Sequence, residues 1–249
     1  MPNVSNNSFK LMGMKLDNID DTSFFQSLNL DLEKCKKKYV SITNTEAMYI
    51  GLKERSHFNY INNSYISLCD GTGLVIAGLI NGLKINKYHG PDFFEDVISE
   101  GLKYGWTHYF LGGKEDVTKS LKNQFQSRFK NVKILGYYSP PFRELSVEEE
   151  IEMINKINEL QPNFLWVSLG LPKQENWIAK YINRLDVNFA VGVGAAFDFH
   201  TGNVKRAPKF FQKIGLEWLY RTMFERRLII RQIRGFKFMF KAIFNQFIK

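Results

Sequence analysis

The sequence predicts an α/β fold: a Rossmann-like, largely parallel sheet with flanking helices, followed by a basic amphipathic helical C-terminal appendage. Three observations carry this reading. Short apolar runs alternate with helix-length amphipathic stretches from residue 39 to residue 193. Glycine follows five of the six apolar runs, where backbone must turn sharply or approach a ligand. The net charge is confined to the last fifth of the chain. At 249 residues, 44% of them hydrophobic, the chain suits one sizeable domain with a real core plus an appendage. The expected division is an α/β domain over 1–200, a catalytic or binding unit, and a basic aromatic appendage over 201–249.

The elements follow in order. Strands are expected at Tyr39–Ile42, Tyr65–Cys69, Thr107–Leu111, Val132–Tyr137, Phe164–Leu169 and Asn188–Val193. Between them helices are expected near 44–55, 71–81, 92–103, 115–129, 147–160 and 173–183. Ser146 with Glu149 reads as a capping box for the fifth. Pro172 suits the first position of the sixth. Alternation at this spacing calls for parallel strands and right-handed crossovers.

Residues 201–249 hold twelve Lys/Arg against two Asp/Glu, a balance of +10, whereas the first 200 residues balance to −1. On a helix of 100° per residue, Ile229, Ile233, Phe236, Phe240, Ile243, Phe244 and Phe247 fall on one side, and Arg227, Arg231, Arg234 and Lys241 on the other. Gly235 interrupts this pattern, and Phe238 falls on the basic side. Such a helix suits a membrane interface and is too charged to cross one. Arg226, Arg227, Arg231 and Arg234 are the expected membrane-docking cations, in contact with an anionic surface. The same pattern also fits a helix that packs its apolar stripe on the body. A nucleic-acid-binding tail is a third reading, disfavoured because the body has no basic patch.

Several classes are excluded at the level of motif. No G-x-G-x-x-G follows the first strand, no G-x-x-x-x-G-K-[ST] occurs, and no G-x-S-x-G elbow is present. His57, His89, His108 and His200 are scattered without ligand-like spacing, so no metal site is expected. Cys35 and Cys69 suggest reduced thiols rather than a disulfide framework. The N-terminus has no signal-peptide architecture, so secretion is not expected.

Ligands of open α/β sheets bind outside the carboxyl ends of the strands. The residues there include Thr43-Asn44, Asp70-Gly71, Gly112-Gly113, Gly136, the Gly170–Gln174 stretch and Gly192-Val-Gly194. Asp70, at the end of a strand and before a glycine-rich helix start, can accept a proton from a bound hydroxyl. An Asp-Gly pair is equally at home in a plain turn.

Four blocks occur in order: LCDGTGLVIAGLINGLKINKYHGPDFF (68–94), FLGGKEDV (110–117), FLWVSLGLPKQENWIAKY (164–181) and AVGVGAAFDFHTGNVKRAPKFFQKIGLEWLYRTMFERR (190–227). Together they resemble the WecG/TagA/CpsF family of bacterial glycosyltransferases, glycosyltransferase family twenty-six, over about residues 10–231. The resemblance implies transfer of a sugar from a UDP-sugar to a polyprenyl-diphosphate-linked saccharide, with inversion and without a metal or other cofactor. It implies a peripheral enzyme at the cytoplasmic face of the membrane, working in teichoic acid or exopolysaccharide synthesis. A homo-oligomer is left open, and nucleic acid is not an expected partner. The family's aspartate base falls on Asp70, and the asparagine of its T-x-N motif on Asn44. The threonine of that motif is replaced by Ile42, with Thr43 beside it as a substitute polar contact. Lys87 stands where the family more often has Arg. Gln174 and Asp198 are expected near the nucleotide, Gly112, Gly113 and Gly136 around it, and Arg206 and Arg221 on the diphosphates. Glu217 and Trp218 are expected to be packing residues. A catalytically inactive sugar-nucleotide binder is the alternative that the Ile42 and Lys87 departures leave open.

Overall fold

The structure is a computed structural model that describes residues 8–19, 21–34, 37–208, 210–211, 215–225 and 228–247. Cys35, Arg226 and Arg227 lie outside the described residues. Eight strands form one sheet in the order β1-β2-β4-β3-β8-β7-β5-β6. Six of them match the expected runs: β3 (Lys38–Thr43), β4 (Ile66–Cys69), β5 (Thr107–Gly112), β6 (Lys133–Tyr138), β7 (Phe164–Ser168) and β8 (Phe189–Gly192). All pairings among these six are parallel.

An N-terminal hairpin extends the sheet beyond the expected strands. In it β1 (Ser8–Leu11) pairs antiparallel with β2 (Met14–Asp17), which runs parallel to β4. Met12 and Gly13 both have positive φ, as a two-residue hairpin turn with the right twist requires.

Side chains alternate across the sheet and build a core on each face. On one face Tyr109, Leu111, Leu165, Val167 and Ala190 meet α2 (Thr45–Gly51), α3 (Arg55–Asn63), α4 (Thr72–Ile80), α7 (Val147–Leu160) and α8 (Lys173–Tyr181). On the other, Phe110, Phe164, Trp166, Phe189 and Val191 meet α1 (Asp21–Leu32), α5 (Gly90–Gly101), α6 (Glu115–Arg128) and α9 (Ala196–Thr201). The expected helix over 44–55 ends at Gly51, and α3, which was not expected, follows after a turn at 52–54. The Ser146–Glu149 capping box is present on α7. Pro172 occupies the N-cap of α8 rather than its first turn, after a cis Leu171–Pro172 bond.

The C-terminal segment forms α10 (Glu217–Phe224) and α11 (Leu228–Phe247). Here the sequence reading needs correction on the role of the basic side of the helix. The stripe of Ile229, Ile233, Phe236, Phe240 and Phe244 is exposed, from 45% at Ile229 to 62% at Phe240. The inner face instead buries Phe238 and Ala242 in the core beside α2 and α4. Gly235 does not interrupt the helix; a Cβ there would come within 2.6 Å of Thr45 Oγ1, so glycine permits the close crossing of α11 on α2. Arg231 and Arg234 also turn inward, 3.3 and 3.2 Å from the buried carboxylate of Glu46. They are therefore committed to the body, because a buried carboxylate requires a partner. This also overturns the reading in which the apolar stripe packs on the body.

Candidate active site

In an open α/β sheet the ligand crevice is expected along the carboxyl ends of the strands. The chain leaves β5 outward for the edge strand β6, and leaves β7 inward for β8, so strand order reverses at the β5/β7 seam. Two groups of residues face this edge, one at the seam and one at β4.

At the seam the site is backbone. Gly112 (φ +104) and Gly113 (φ +73) end β5, and a Cβ on Gly112 would lie 2.3 Å from Ser168 O on β7. Only glycine lets these two strand ends approach so closely. Gln174 is 4% exposed and spends its amide internally. Its Oε1 accepts from the N–H groups of Gly170 (3.2 Å) and Gly194 (3.0 Å), and its Nε2 donates to Glu175 (2.8 Å). Gln174 thus staples the loops after β7 and β8; the expected direct nucleotide contact is replaced by a scaffold role. Glu175 is pushed up to about 7 by burial. Gly136 is corrected as well: it lies inside β6, where a Cβ would meet the Tyr109 ring at 2.8 Å, so it serves packing and not a ligand loop. Asp198 stands in the first turn of α9.

At the β4 side the site is charge. Asp70 follows Cys69, its N–H bonding Thr43 O at 2.7 Å. Its side chain is 23% exposed, and Oδ1 lies 2.9 Å from His89 Nδ1. Burial acts to raise the Asp70 carboxyl, but the His89 hydrogen bond and charge, with Arg231 and Arg221, hold it below the usual carboxylate range. Burial acts to lower the His89 imidazole, and the Asp70 bond and charge together with Glu217 raise it above its ordinary value against the opposing charge of Lys87. His89 Nε2 is 3.9 Å from Glu217 Oε2, and Glu217 Oε1 is 3.6 Å from Arg206 Nε. Arg206 in turn clasps Asp92 at 2.5 and 2.9 Å. Trp218 packs edge-on against Phe236 as expected, whereas Glu217 belongs to this network rather than to packing.

Arg221 pairs with Glu225 at 3.2 Å and sits over the Phe199 ring. Lys87 is exposed on the segment before α5. It lines a cavity of about 1160 Å³ together with Leu68, Thr72, Tyr88, Asp96 and Tyr104, and neither Asp70 nor His89 lines that cavity.

Two neighbours of Asp70 depart from expectation. Thr43 is fully buried, and its hydroxyl sits between Ser41 Oγ and Ser67 Oγ, each at 2.9 Å. The hydroxyl ladder satisfies it inside the sheet, so it offers no substrate contact. Asn44 caps α2, its Oδ1 accepting from the N–H groups of Glu46 and Ala47 at 3.0 Å. That leaves its Nδ2 amide as the group that can face a ligand.

His89 is the site residue that the sequence reading missed. Its nearest signal was a histidine just before the Gly-Pro-Asp start of α5, whose ring forms no cap bond there. Among the described residues, no group of three or more His, Cys, Asp or Glu is arranged to hold a metal ion.

Comparison with known proteins finds similarity along nearly the whole chain. A family model described as "Glycosyl transferase WecG/TagA/CpsF family" matches residues 9–249. A relative from Bacillus subtilis (strain 168), named N-acetylglucosaminyldiphosphoundecaprenol N-acetyl-beta-D-mannosaminyltransferase, is 31% identical over 185 residues, 74% of this chain and 70% of its own. Proteins of the same name from Bacillus spizizenii (29% over 213 residues, 84% and 81% of the chains) and Staphylococcus aureus strain NCTC 8325 (24% over 227 residues, 89% and 86%) are similar across the same span. Matched by this family model over residues 9–249, the chain belongs to the WecG/TagA/CpsF family of glycosyltransferases.

Proposed function

We propose that the protein transfers a sugar, of the N-acetylmannosamine type or another hexose, from a UDP-sugar to a polyprenyl-diphosphate-linked saccharide. The observation that carries this is Asp70: a carboxylate after β4, oriented by His89 at 2.9 Å and held below the usual carboxylate range. Asp70 Oδ1 is held by His89, so Oδ2 takes the acceptor hydroxyl's proton as that oxygen attacks the anomeric carbon. The bond to the diphosphate breaks on the opposite face, and its electron pair leaves with UDP. One base and no covalent intermediate give inversion. The β linkage in the relatives' name is the outcome that inversion of an α-linked sugar nucleotide produces.

From β4 to the β5/β7 seam is three to four strand spacings, about 17 Å at 4.8 Å each. That distance suits an extended sugar nucleotide, with the diphosphate against the glycine-built seam and the sugar toward Asp70. The charge gained by UDP is met by backbone dipoles at the seam, by the exposed Lys87, and by Arg206 and Arg221 in exchange for their present partners Asp92, Glu217 and Glu225, without a metal. Glu115 and Asp116 occupy the first turn of α6, so this start is a poor anion site, and the Gly113 N–H is already given to Ser168 O at 2.9 Å, so the glycines contribute close approach rather than free donors.

The acceptor's lipid would bring the reaction to the cytoplasmic face of the membrane. The outer stripe of α11, with Phe236 55% and Phe240 62% exposed, is proposed to lie in the lipid interface. The exposed Lys237 and Lys241 flank it, each contributing roughly 1 kcal/mol on an anionic surface. No helix among the described residues is long and apolar enough to cross a membrane, so this contact is peripheral.

The test is UDP release by the purified protein from a panel of UDP-sugars with a lipid-diphosphate N-acetylglucosamine acceptor, in the presence of a chelator. Turnover with one sugar is expected. Binding of UDP without turnover on any pairing would leave the inactive-binder reading instead. Because Phe238 and Ala242 are core residues, the lipid contact is better tested by Phe236→Glu with Phe240→Glu than by truncation. That variant is expected to fold and to lose sedimentation with phosphatidylglycerol vesicles; unchanged sedimentation rejects the docking role.

A further inference from the structure

We propose that His89 is a positioning residue that holds Asp70 as an oriented carboxylate, and that Glu217 of the C-terminal segment holds His89 in turn. The inference rests on Asp70 being the base and names the groups that govern it. His89 Nδ1 lies 2.9 Å from Asp70 Oδ1, so this nitrogen carries a proton and donates it to the carboxylate. Nε2 then faces Glu217 Oε2 at 3.9 Å. That oxygen is buried and makes no hydrogen bond among the described residues. A neutral ring would turn a lone pair toward it, whereas an imidazolium turns an N–H. An imidazole between two carboxylates is therefore stabilised in its charged form.

The surroundings of the ring support this balance. Asp70 and Glu217 face it directly from β4's end and from α10, and Asp92 adds its charge from the start of α5. Against them stand Lys87, which acts on His89 itself, Arg206, which is spent on Asp92 and Glu217, and Arg221 and Arg231, which act on Asp70. In the reaction the acceptor's proton moves to Asp70 Oδ2 while His89 keeps its own on Nδ1. Asp70 afterwards returns its proton to water. The ring orients and charges the base without itself reacting, and a residue on α10 reaches the base through it. The C-terminal segment thus takes part in setting the chemistry of the crevice as well as offering a face to lipid.

The test uses the full chain with ¹⁵N-labelled imidazoles, following the pH titration of His89 by NMR in the parent protein, Glu217→Gln and Asp70→Asn. Each substitution removes a charge that favours the imidazolium, so the midpoint of His89 is expected to move downward in both. Since no substrate is needed, this arm is independent of whether the protein transfers sugar. In the activity arm, His89→Ala is expected to lower kcat about 10-fold with acceptor KM little changed. Its acidic limb should move to higher pH, because Asp70 loses the partner that holds its carboxyl low. His89→Asn, which keeps an N–H near the Nδ1 position, is expected to recover most of the rate. A His89 midpoint identical in all three proteins overturns the link to Glu217 and Asp70. An unchanged acidic limb in a folded His89→Ala protein overturns the positioning role.

Discussion

The two sides of the crevice are built by different means. At the β5/β7 seam, binding capacity comes from backbone: Gly112 and Gly113 at positive φ, and loops tied together by the buried amide of Gln174. At the β4 side it comes from ionisable side chains, Asp70 through His89 and Glu217 to Arg206 and Asp92, each still partly open to solvent. The difference suits what each side is proposed to do. Holding a diphosphate asks only for fixed dipoles, which a rigid backbone supplies without titrating. Accepting a proton asks for a group whose charge can change, and such a group is tuned by other charges.

The sharpest way to break this contrast is Asp70→Asn. If the β4 side carries the chemistry and the seam carries the nucleotide, turnover should fall by about 10²–10⁴-fold while affinity for UDP stays near its parent value. Single-turnover transfer and calorimetric UDP binding on the same preparation would show the split. A variant that turns over normally removes Asp70 from its role. A variant that loses both properties erases the division between the two sides.

Gln174→Ala probes the opposite side and should give the converse pattern. The N–H groups of Gly170 and Gly194 would lose their acceptor, costing about 2 kcal/mol of stability if they stay buried and unpaired. Loosened loops should weaken UDP binding about 10-fold, with kcat at saturating donor affected less. Thermal unfolding together with UDP titration would measure both. A drop confined to kcat would mean that Gln174 acts on the reacting atoms and not through the loops.

The contrast also explains how much was legible in the sequence. Six strands could be read because both faces of the sheet are covered at its centre, which makes β4, β5, β7 and β8 largely apolar runs. The hairpin was missed because its four-residue strands alternate Phe9, Leu11, Met14 and Leu16 with lysines, too short a pattern to stand out. Helix α3 was missed because its Asn-rich sequence has poor helix propensity, and packing through Tyr60 and Ile61 overrides it. Asp70 was legible from its place after a strand, whereas His89 is identified only by what it touches, and its partner Glu217 lies 128 positions further along. On α11 the helical plot separated two faces correctly. It could not say which one meets the body, because that contact is made by one phenylalanine and two small residues, Phe238 with Gly235 and Ala242. Bulk apolar count favours one face, but close approach decides for the other.

The smallest expected effect separates structure from chemistry within the β4 side itself. Thr43 is adjacent to Asn44, and its carbonyl accepts the Asp70 N–H, yet its side chain belongs to the interior ladder of Ser41 and Ser67. Thr43→Val keeps the shape and removes one hydroxyl, leaving the two serines to lose a shared partner. The expected cost is about 1 kcal/mol of stability, read as a lower urea midpoint at unchanged slope. Donor and acceptor KM should stay at their parent values, because nothing on the crevice surface has changed. If either KM rises while the midpoint holds, the hydroxyl reaches substrate after all, and the boundary drawn here between buried ladder and open charge network lies one residue too close to Asp70.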